Sequence, residues 1–229
     1  MLRFFTVLIF TVFLAISFNS CRKLQNFIPE DLAKQAIMQT LEYSADTADE
    51  QSQNDVLMNA SASTKIAFPQ SDLILVSVLN KFPTGTAALT VVETSINTES
   101  NKLSKDLNVF IDDATIELIF DDVYNMVYTD DAVATAYLNE QKSEQLKRDF
   151  TTYLAQKIRG SQLESSIIDF QNSYNAYNGA VVLNQDPASY LAEKIIERYF
   201  YLMSLEEVKI RTDKSHQRSD VLQQFFGDN

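Results

Sequence analysis

Apolar residues recur along most of the chain at intervals of three and four positions, the spacing that places side chains on one face of an α-helix. The most regular stripe follows Asp186-Pro187, a pair typical of a helix start, and includes Tyr190, Ile195 and Met203. Shorter stripes predict further helices, at about 29–43, 71–82, 86–121, 129–138, 143–159, 163–177 and 221–226. The pattern therefore predicts an all-α fold, a single bundle-like domain of several helices.

Four segments interrupt this helical pattern. Residues 44–64 are rich in Ser, Asp, Asn and Gln, which favours a loop. Lys65–Pro69 predicts a short extended piece, because the residue before a proline avoids helical angles. Pro83 and Gly85 predict the end of a helix, and Ala180–Leu183 is the run that could pair as a strand. Gly and Pro number only 4 each, which argues against a turn-rich β-sandwich or barrel.

The N-terminus has a different pattern. Arg3 precedes an apolar run, Phe4–Phe18, that is shorter than the roughly 20 residues needed to cross a bilayer. A positive start before a short apolar run is typical of a secretory signal peptide. The alternative, a buried core helix at the extreme terminus behind a lone arginine, fits this pattern less well.

The chain's one cysteine, Cys21, follows this apolar run directly after a small residue. The segment Ser17–Cys21 resembles a bacterial lipobox, in which the cysteine thiol receives a diacylglycerol and cleavage makes the cysteine N-terminal. Phe18 and Asn19 depart from the usual residues, so the match is to a relaxed lipobox. A single cysteine forms no internal disulfide, and lipidation would consume its thiol; the alternative is an ordinary signal that leaves the thiol free.

These observations divide the chain into a signal peptide (1–20), a lipidated tether (21–28) and a helical domain (29–229). A lipid with several acyl chains anchors a protein stably in a membrane. In lipoproteins of enteric bacteria, an aspartate directly after the lipidated cysteine retains the protein in the inner membrane. Here Arg22 and Lys23 follow the cysteine instead. We therefore expect a cell-envelope protein, lipid-anchored in the outer membrane and facing the periplasm.

Charge and chemistry narrow the function classes. With 31 acidic and 19 basic residues, the net charge of −12 disfavours a nucleic-acid partner. His216 is the only histidine, which excludes the usual zinc and di-iron sites, and the Asp pairs at 112, 121 and 130 lack the alternation and glycine turn of a calcium loop. There is no nucleophile elbow or glycine-rich phosphate loop. We expect no catalytic residue, no metal and no cofactor, and the sequence favours a protein that is not an enzyme while leaving that question open.

Three blocks of residues, in order along the chain, resemble the domain-of-unknown-function 4197 family (DUF4197). Lys65–Pro69 looks like its Ile-x-Leu-Pro element, and the residues from Asp131 to Tyr137 look like its Asp-Thr-Ala-Ala-Thr-x-Tyr-Phe motif. The C-terminal block matches at Tyr190, Lys194, Glu206-Glu207, Ile210-Arg211, Leu222 and Gly227. At Glu197-Arg198 the family has Asp-Gly, which puts in doubt any site that it builds there.

The resemblance implies a helical fold, frequently in a secreted protein or lipoprotein, and implies no activity. Candidate interaction or structural residues are Asp131, Thr135, Tyr137, Tyr190, Glu206, Glu207 and Arg211. Glu207 and Arg211 stand at i and i+4, close enough to pair, so the pattern favours a salt-bridged helix end over a ligand site.

Two functions remain open for a protein of this kind. The first is a structural or interaction lipoprotein that binds an envelope protein through a helical face, and it predicts an exposed apolar patch. The second is a carrier of a small molecule or lipid, with an enclosed pocket lined by aromatics such as Tyr137, Tyr174 and Tyr199. The sequence leaves the oligomeric state open.

Overall fold

The computed structural model describes residues 29–61, 64–69, 72–129, 131–178 and 186–227. In chain order its helices are α1 (Glu30–Ser52), α2 (Asp55–Asn59), α3 (Leu73–Leu79), α4 (Pro83–Ile116), α5 (Val123–Val127), α6 (Val133–Ile158), α7 (Gln162–Asn178), α8 (Pro187–Thr212) and α9 (Asp220–Phe226). A 3₁₀ turn, Lys214–His216, joins α8 to α9. No strand occurs in these ranges, and the fold is all-α, as predicted. The signal peptide, the tether with Cys21 and Ala180–Leu183 lie outside the described residues.

Helix α8 is the centre of the packing. It packs most extensively against α6 and α1, while α4 packs against α7 and α1. Of the 26 residues of α8, 15 are buried, many more than the single stripe that a surface helix covers. The apolar residues of the predicted stripe are buried, and Leu191, Ile195 and Met203 are at most 2% exposed. None of the helices described here is both long and apolar enough to traverse a bilayer.

Several predicted helix ends are confirmed by their capping contacts. The Asp186 carboxylate accepts the N–H of Ser189 at 2.8 Å, and the Ser219 hydroxyl accepts that of Leu222 at 3.2 Å. Both are N-cap contacts, which satisfy N–H groups that a first helical turn leaves without a partner. Gly160 ends α6 with a φ of +74°, a left-handed conformation that glycine adopts without steric cost.

The loop predicted for residues 44–64 is wrong over most of its length, because α1 continues to Ser52 and the short helix α2 covers Asp55–Asn59. Three of its polar residues, Ser44, Thr47 and Ser52, are small and lie on the buried face beside Ala45 and Ala48. A stripe of small residues lets neighbouring helices approach closely, yet it lacks the large apolar side chains by which helical periodicity is recognised.

Two further predicted boundaries differ from the structure. Pro83 opens α4 instead of ending the preceding helix, which stops at Leu79, since proline is well suited to the first helical turn. A Cβ on Gly85 would lie 2.4 Å from the Leu79 carbonyl oxygen, so glycine permits the close approach of α3 and α4. The helices predicted at 129–138 and 143–159 form one helix, α6, because the polar residues between them continue its exposed face.

Candidate functional site

Glu207 and Arg211 form a buried ion pair on α8, which confirms the predicted i, i+4 contact. The Arg211 Nη2 and Nε atoms lie 2.7 and 3.0 Å from Glu207 Oε1. The two side chains are 0% and 1% exposed, respectively. A buried pair is stable only when further hydrogen bonds satisfy its remaining polar atoms, so the other partners of the two side chains determine its role.

The remaining partners of Glu207 lie at the start of α6. Its Oε1 accepts the N–H of Ala134 at 2.9 Å, and its Oε2 accepts that of Thr135 at 2.7 Å. Helix α6 has no side-chain cap of its own at Ala132. The carboxylate therefore caps α6 from another helix and places negative charge at the positive end of the α6 dipole.

Arg211 binds the opposite kind of helix end, the last turn of α5. Its Nη1 donates to the carbonyl oxygens of Met126 and Thr129, both at 2.8 Å, and to that of Val127 at 3.3 Å. The guanidinium also lies 5.0 Å from the centre of the Phe226 ring on α9. Together Glu207 and Arg211 hold the end of α5 and the start of α6 on α8, and we call this arrangement the α5–α6 clamp.

Glu206 points away from the clamp, as expected for adjacent residues on a helix. Its carboxylate contacts His216 Nδ1 at 2.6 Å and Lys209 Nζ at 3.3 Å, although its side chain is only 2% exposed. The contact ties the 3₁₀ turn to α8. Sequence reasoning found no partner for His216, because no motif links the two residues.

The other predicted site residues are separate from the clamp. The Tyr137 hydroxyl donates to the Ile119 carbonyl at 2.6 Å, and Asp131 is an exposed residue that precedes α6. Tyr190 donates to the Ala67 carbonyl at 2.6 Å and so holds the predicted extended element. It lies 17 residues before Glu207 on the same helix, about 25 Å along the axis. The structure thus joins Thr135 to Glu207 and Arg211, but does not bring Tyr190 to them.

A second buried charge, Arg198, was not among the predicted site residues. Its guanidinium donates to Asn101 Oδ1 at 2.8 Å, to Ser104 Oγ at 2.5 Å and to the carbonyls of Ser100 (3.3 Å) and Thr64 (3.5 Å). All four acceptors are neutral, and burial lowers the pKa of Arg198 to about 10. A sequence signal was available, since Arg198 falls at helical spacing between the buried Ile195 and Leu202.

An open groove of about 620 Å³ runs between α6 and α8. Thr135, Ala136, Asn139 and Ser143 form one wall, and Ile196, Phe200, Tyr201 and Ser204 form much of the other. Thr135 is 3% exposed, and its hydroxyl has no hydrogen-bond partner among the described residues. We call this feature the α6–α8 groove. Its end nearest Thr135 is positioned by the α5–α6 clamp, because Glu207 holds the backbone of that residue.

Three exposed apolar residues of α8 accompany the groove. Tyr201, Leu205 and Val208 follow one another at i, i+4 and i+7 and are 40–42% exposed. This spacing places them on one face of the helix, and Tyr201 also lines the groove. We call these residues the Tyr201 stripe.

A small apolar cavity lies between α4, α7 and α8, with Phe68, Phe170 and Tyr190 among its lining residues. Its volume of about 30 Å³ is that of a single water molecule. Tyr137, Tyr174 and Tyr199 do not line it. Within the described ranges, no three His, Cys, Asp or Glu side chains are grouped to hold a metal ion.

The fold and the site define an all-helical protein in which a buried ion pair joins helix ends beside an open surface groove. The family model described as "Protein of unknown function (DUF4197)" matches residues 28–227, and the chain belongs to this family. No curated protein and no solved structure matches the chain.

Proposed function

We propose that the protein is a lipid-anchored lipoprotein of the bacterial cell envelope whose helical domain binds a partner protein in the α6–α8 groove. The groove together with the adjoining Tyr201 stripe is the observation that carries the proposal. Aromatic residues are enriched at protein interfaces, and an amphipathic helix typically docks its apolar face in a groove of this kind.

The size of the cavities favours binding of a protein over carriage of a small molecule. A drug-sized ligand occupies a pocket of roughly 300–1,000 Å³ that encloses most of its surface. The apolar cavity described above has about 30 Å³, whereas the α6–α8 groove is large enough but open and partly polar. An open groove beside exposed apolar side chains suits a macromolecular surface better than a sequestered ligand.

Site-specific photo-crosslinking in the native envelope would test the docking site. A photoreactive residue at Ser204, in the groove, should yield a discrete adduct whose partner can be identified by mass spectrometry. Leu205→Glu should abolish that adduct, because it places a charge in the apolar contact. Val109→Glu is the matched control, since Val109 is 64% exposed on α4 and should leave the adduct unchanged. An adduct that survives Leu205→Glu would refute the proposed site.

The anchor is supported by the resemblance of Ser17–Cys21 to a lipobox and by the lone cysteine at its end. Metabolic labelling with a palmitate analogue should tag the wild-type protein and place it in the outer-membrane fraction. Cys21→Ala should lose both the label and the membrane association. Equal labelling of Cys21→Ala would disprove lipidation at this residue, independently of the crosslinking result.

A further inference from the structure

Arg198 carries a buried positive charge, and no carboxylate in the described part of the chain forms an ion pair with it. Its side chain donates to neutral oxygens, and its Nε–H is buried without a partner among the described residues. Buried charges are normally paired, because burial without an opposite charge is energetically costly. This arrangement contrasts with that of Arg211, which is as deeply buried (1% exposed, against 3% for Arg198) but is neutralised by Glu207.

A surface pocket of about 340 Å³ lies beside Arg198, between α8 and the Lys65–Pro69 element. Lys65, Lys194 and Arg198 line it together with one acid, Glu197, which gives the lining a net charge of +2. Lys194 is paired with Glu197 at 2.6 Å and lies 3.5 Å from a carboxylate oxygen of Glu193, which is not a lining residue. Lys65 is exposed and has no carboxylate within 4 Å in the described part of the chain, so its charge is available to a ligand.

The sign of this pocket is opposite to that of the protein, whose net charge is −12. In so acidic a chain, basic residues scattered over the surface would usually face acidic neighbours. Here Arg198 is held in place by Asn101 and Ser104, and the Tyr190 hydroxyl fixes the backbone of Ala67 at the pocket's edge. The buried charge and one backbone edge of the pocket are therefore preorganised, which lowers the entropic cost of binding an anion.

We propose that this pocket binds a phosphate group, either as a free phosphate compound or as the headgroup of an anionic lipid. Lys65 and Lys194 would contact the phosphate oxygens, and Arg198 would contribute its buried charge to the field in the pocket. A cluster of lysine and arginine charges suits the anionic oxygens of a phosphate group, whether it is a free phosphate or the singly charged phosphodiester of a lipid headgroup. The pocket adjoins the α6–α8 groove, with which it shares Glu197 and Tyr201, but it is proposed to bind an anion and does not depend on a protein partner.

The test follows the backbone amide resonances of Ile66 and Ala67 by NMR, with the intact chain in neutral detergent micelles at low ionic strength. One arm titrates inorganic phosphate, and the other adds phosphatidylglycerol to the micelles. A saturable shift in the first arm indicates a free phosphate ligand, and a shift only in the second indicates a lipid headgroup. Chloride at matched ionic strength should produce no saturable shift, and an equal response to chloride would overturn the proposal.

Two variants with opposite expected effects on affinity make the test specific, because one removes a positive charge from the pocket and the other removes a negative charge. Lys65→Gln should weaken binding roughly two- to five-fold, the range of a partly exposed ion pair, and Glu197→Gln should strengthen it by a similar factor. Lys157→Gln, an exposed lysine near the end of α6, is the matched control and should leave the affinity unchanged. Arg198→Gln should weaken binding at least as much as Lys65→Gln; if it does not fold, the two exposed variants still decide. Absence of saturable binding in both arms, or wild-type affinity in both Lys65→Gln and Glu197→Gln, would overturn the proposal.

Discussion

Glu207→Gln is the substitution that most directly tests the α5–α6 clamp. It keeps the shape of the side chain but removes its charge, which leaves the buried guanidinium of Arg211 without a counterion. The glutamine also has a single acceptor oxygen, so the N–H groups of Ala134 and Thr135 cannot both keep their present partners. The variant therefore affects the ion pair and the α6 cap together.

The expected loss follows from these two contributions. Removing one partner of a buried ion pair costs about 3–5 kcal/mol of unfolding free energy. Loss of a helix cap costs about 1 kcal/mol, and we count it as part of that total. The free energy of unfolding of a domain is roughly 5–15 kcal/mol, so the loss would be a large fraction of the total stability. Arg211→Met should cost a similar amount, because it leaves the Glu207 carboxylate buried and the carbonyls of Met126 and Thr129 unbound.

Urea denaturation of the wild type, both single variants and the double variant forms a thermodynamic cycle. Because each single variant strands a buried charge, the double variant should be less destabilised than the sum of the singles, with a coupling of about 2 kcal/mol or more. Hydrogen exchange at Ala134 and Thr135 should accelerate in Glu207→Gln. Glu197→Gln, whose side chain is 57% exposed on the same helix, should change stability by no more than about 0.5 kcal/mol. A Glu207→Gln cost below about 1 kcal/mol, or strictly additive variants, would refute a structural role for the pair.

Three further substitutions test other parts of the fold. Tyr199→Phe should cost about 1–2 kcal/mol in chemical denaturation, because the fully buried hydroxyl bonds the Ala45 carbonyl at 2.8 Å; an unchanged midpoint would contradict this. Burial and the nearby Asp46 raise the pKa of Asp112 in the folded state, so its ionised form destabilises the protein above that pKa. Asp112→Asn should therefore raise the melting temperature near pH 7, with a gain that shrinks toward about pH 4; a pH-independent gain would argue against it. Gly160→Ala should lower the free energy of unfolding by about 1 kcal/mol through the positive φ alone, since nothing lies within 4 Å of the added methyl group. Equal stability of the two proteins would exclude that strain.

The all-α fold was predictable because helical periodicity is a local signal. The stripe of α8 and the caps at Asp186 and Ser219 need only residues that are close in sequence. The extension of α1 to Ser52 was missed for the opposite reason. Its residues are small and polar, and only the approach of the surrounding helices buries them.

The candidate site was predictable only in part. The pairing of Glu207 with Arg211 follows from a four-residue spacing on one helix. Its purpose could not be read from the sequence, because the N–H groups that Glu207 binds belong to residues more than 70 positions earlier. The groove likewise depends on how α6 lies against α8, which no local pattern specifies.

The clamp explains why a polar pair can lie in a buried place without chemistry of its own. Replacing a buried ion pair by apolar residues of similar volume is often neutral or even stabilising, so stability alone does not require Glu207 and Arg211. What an apolar pair cannot do is bind three carbonyls at the end of α5 and two N–H groups at the start of α6. The pair therefore specifies where the connection between these helices lies. Because Thr135 makes this clamp contact through its backbone N–H and also lines the α6–α8 groove, the pair shapes one end of that groove.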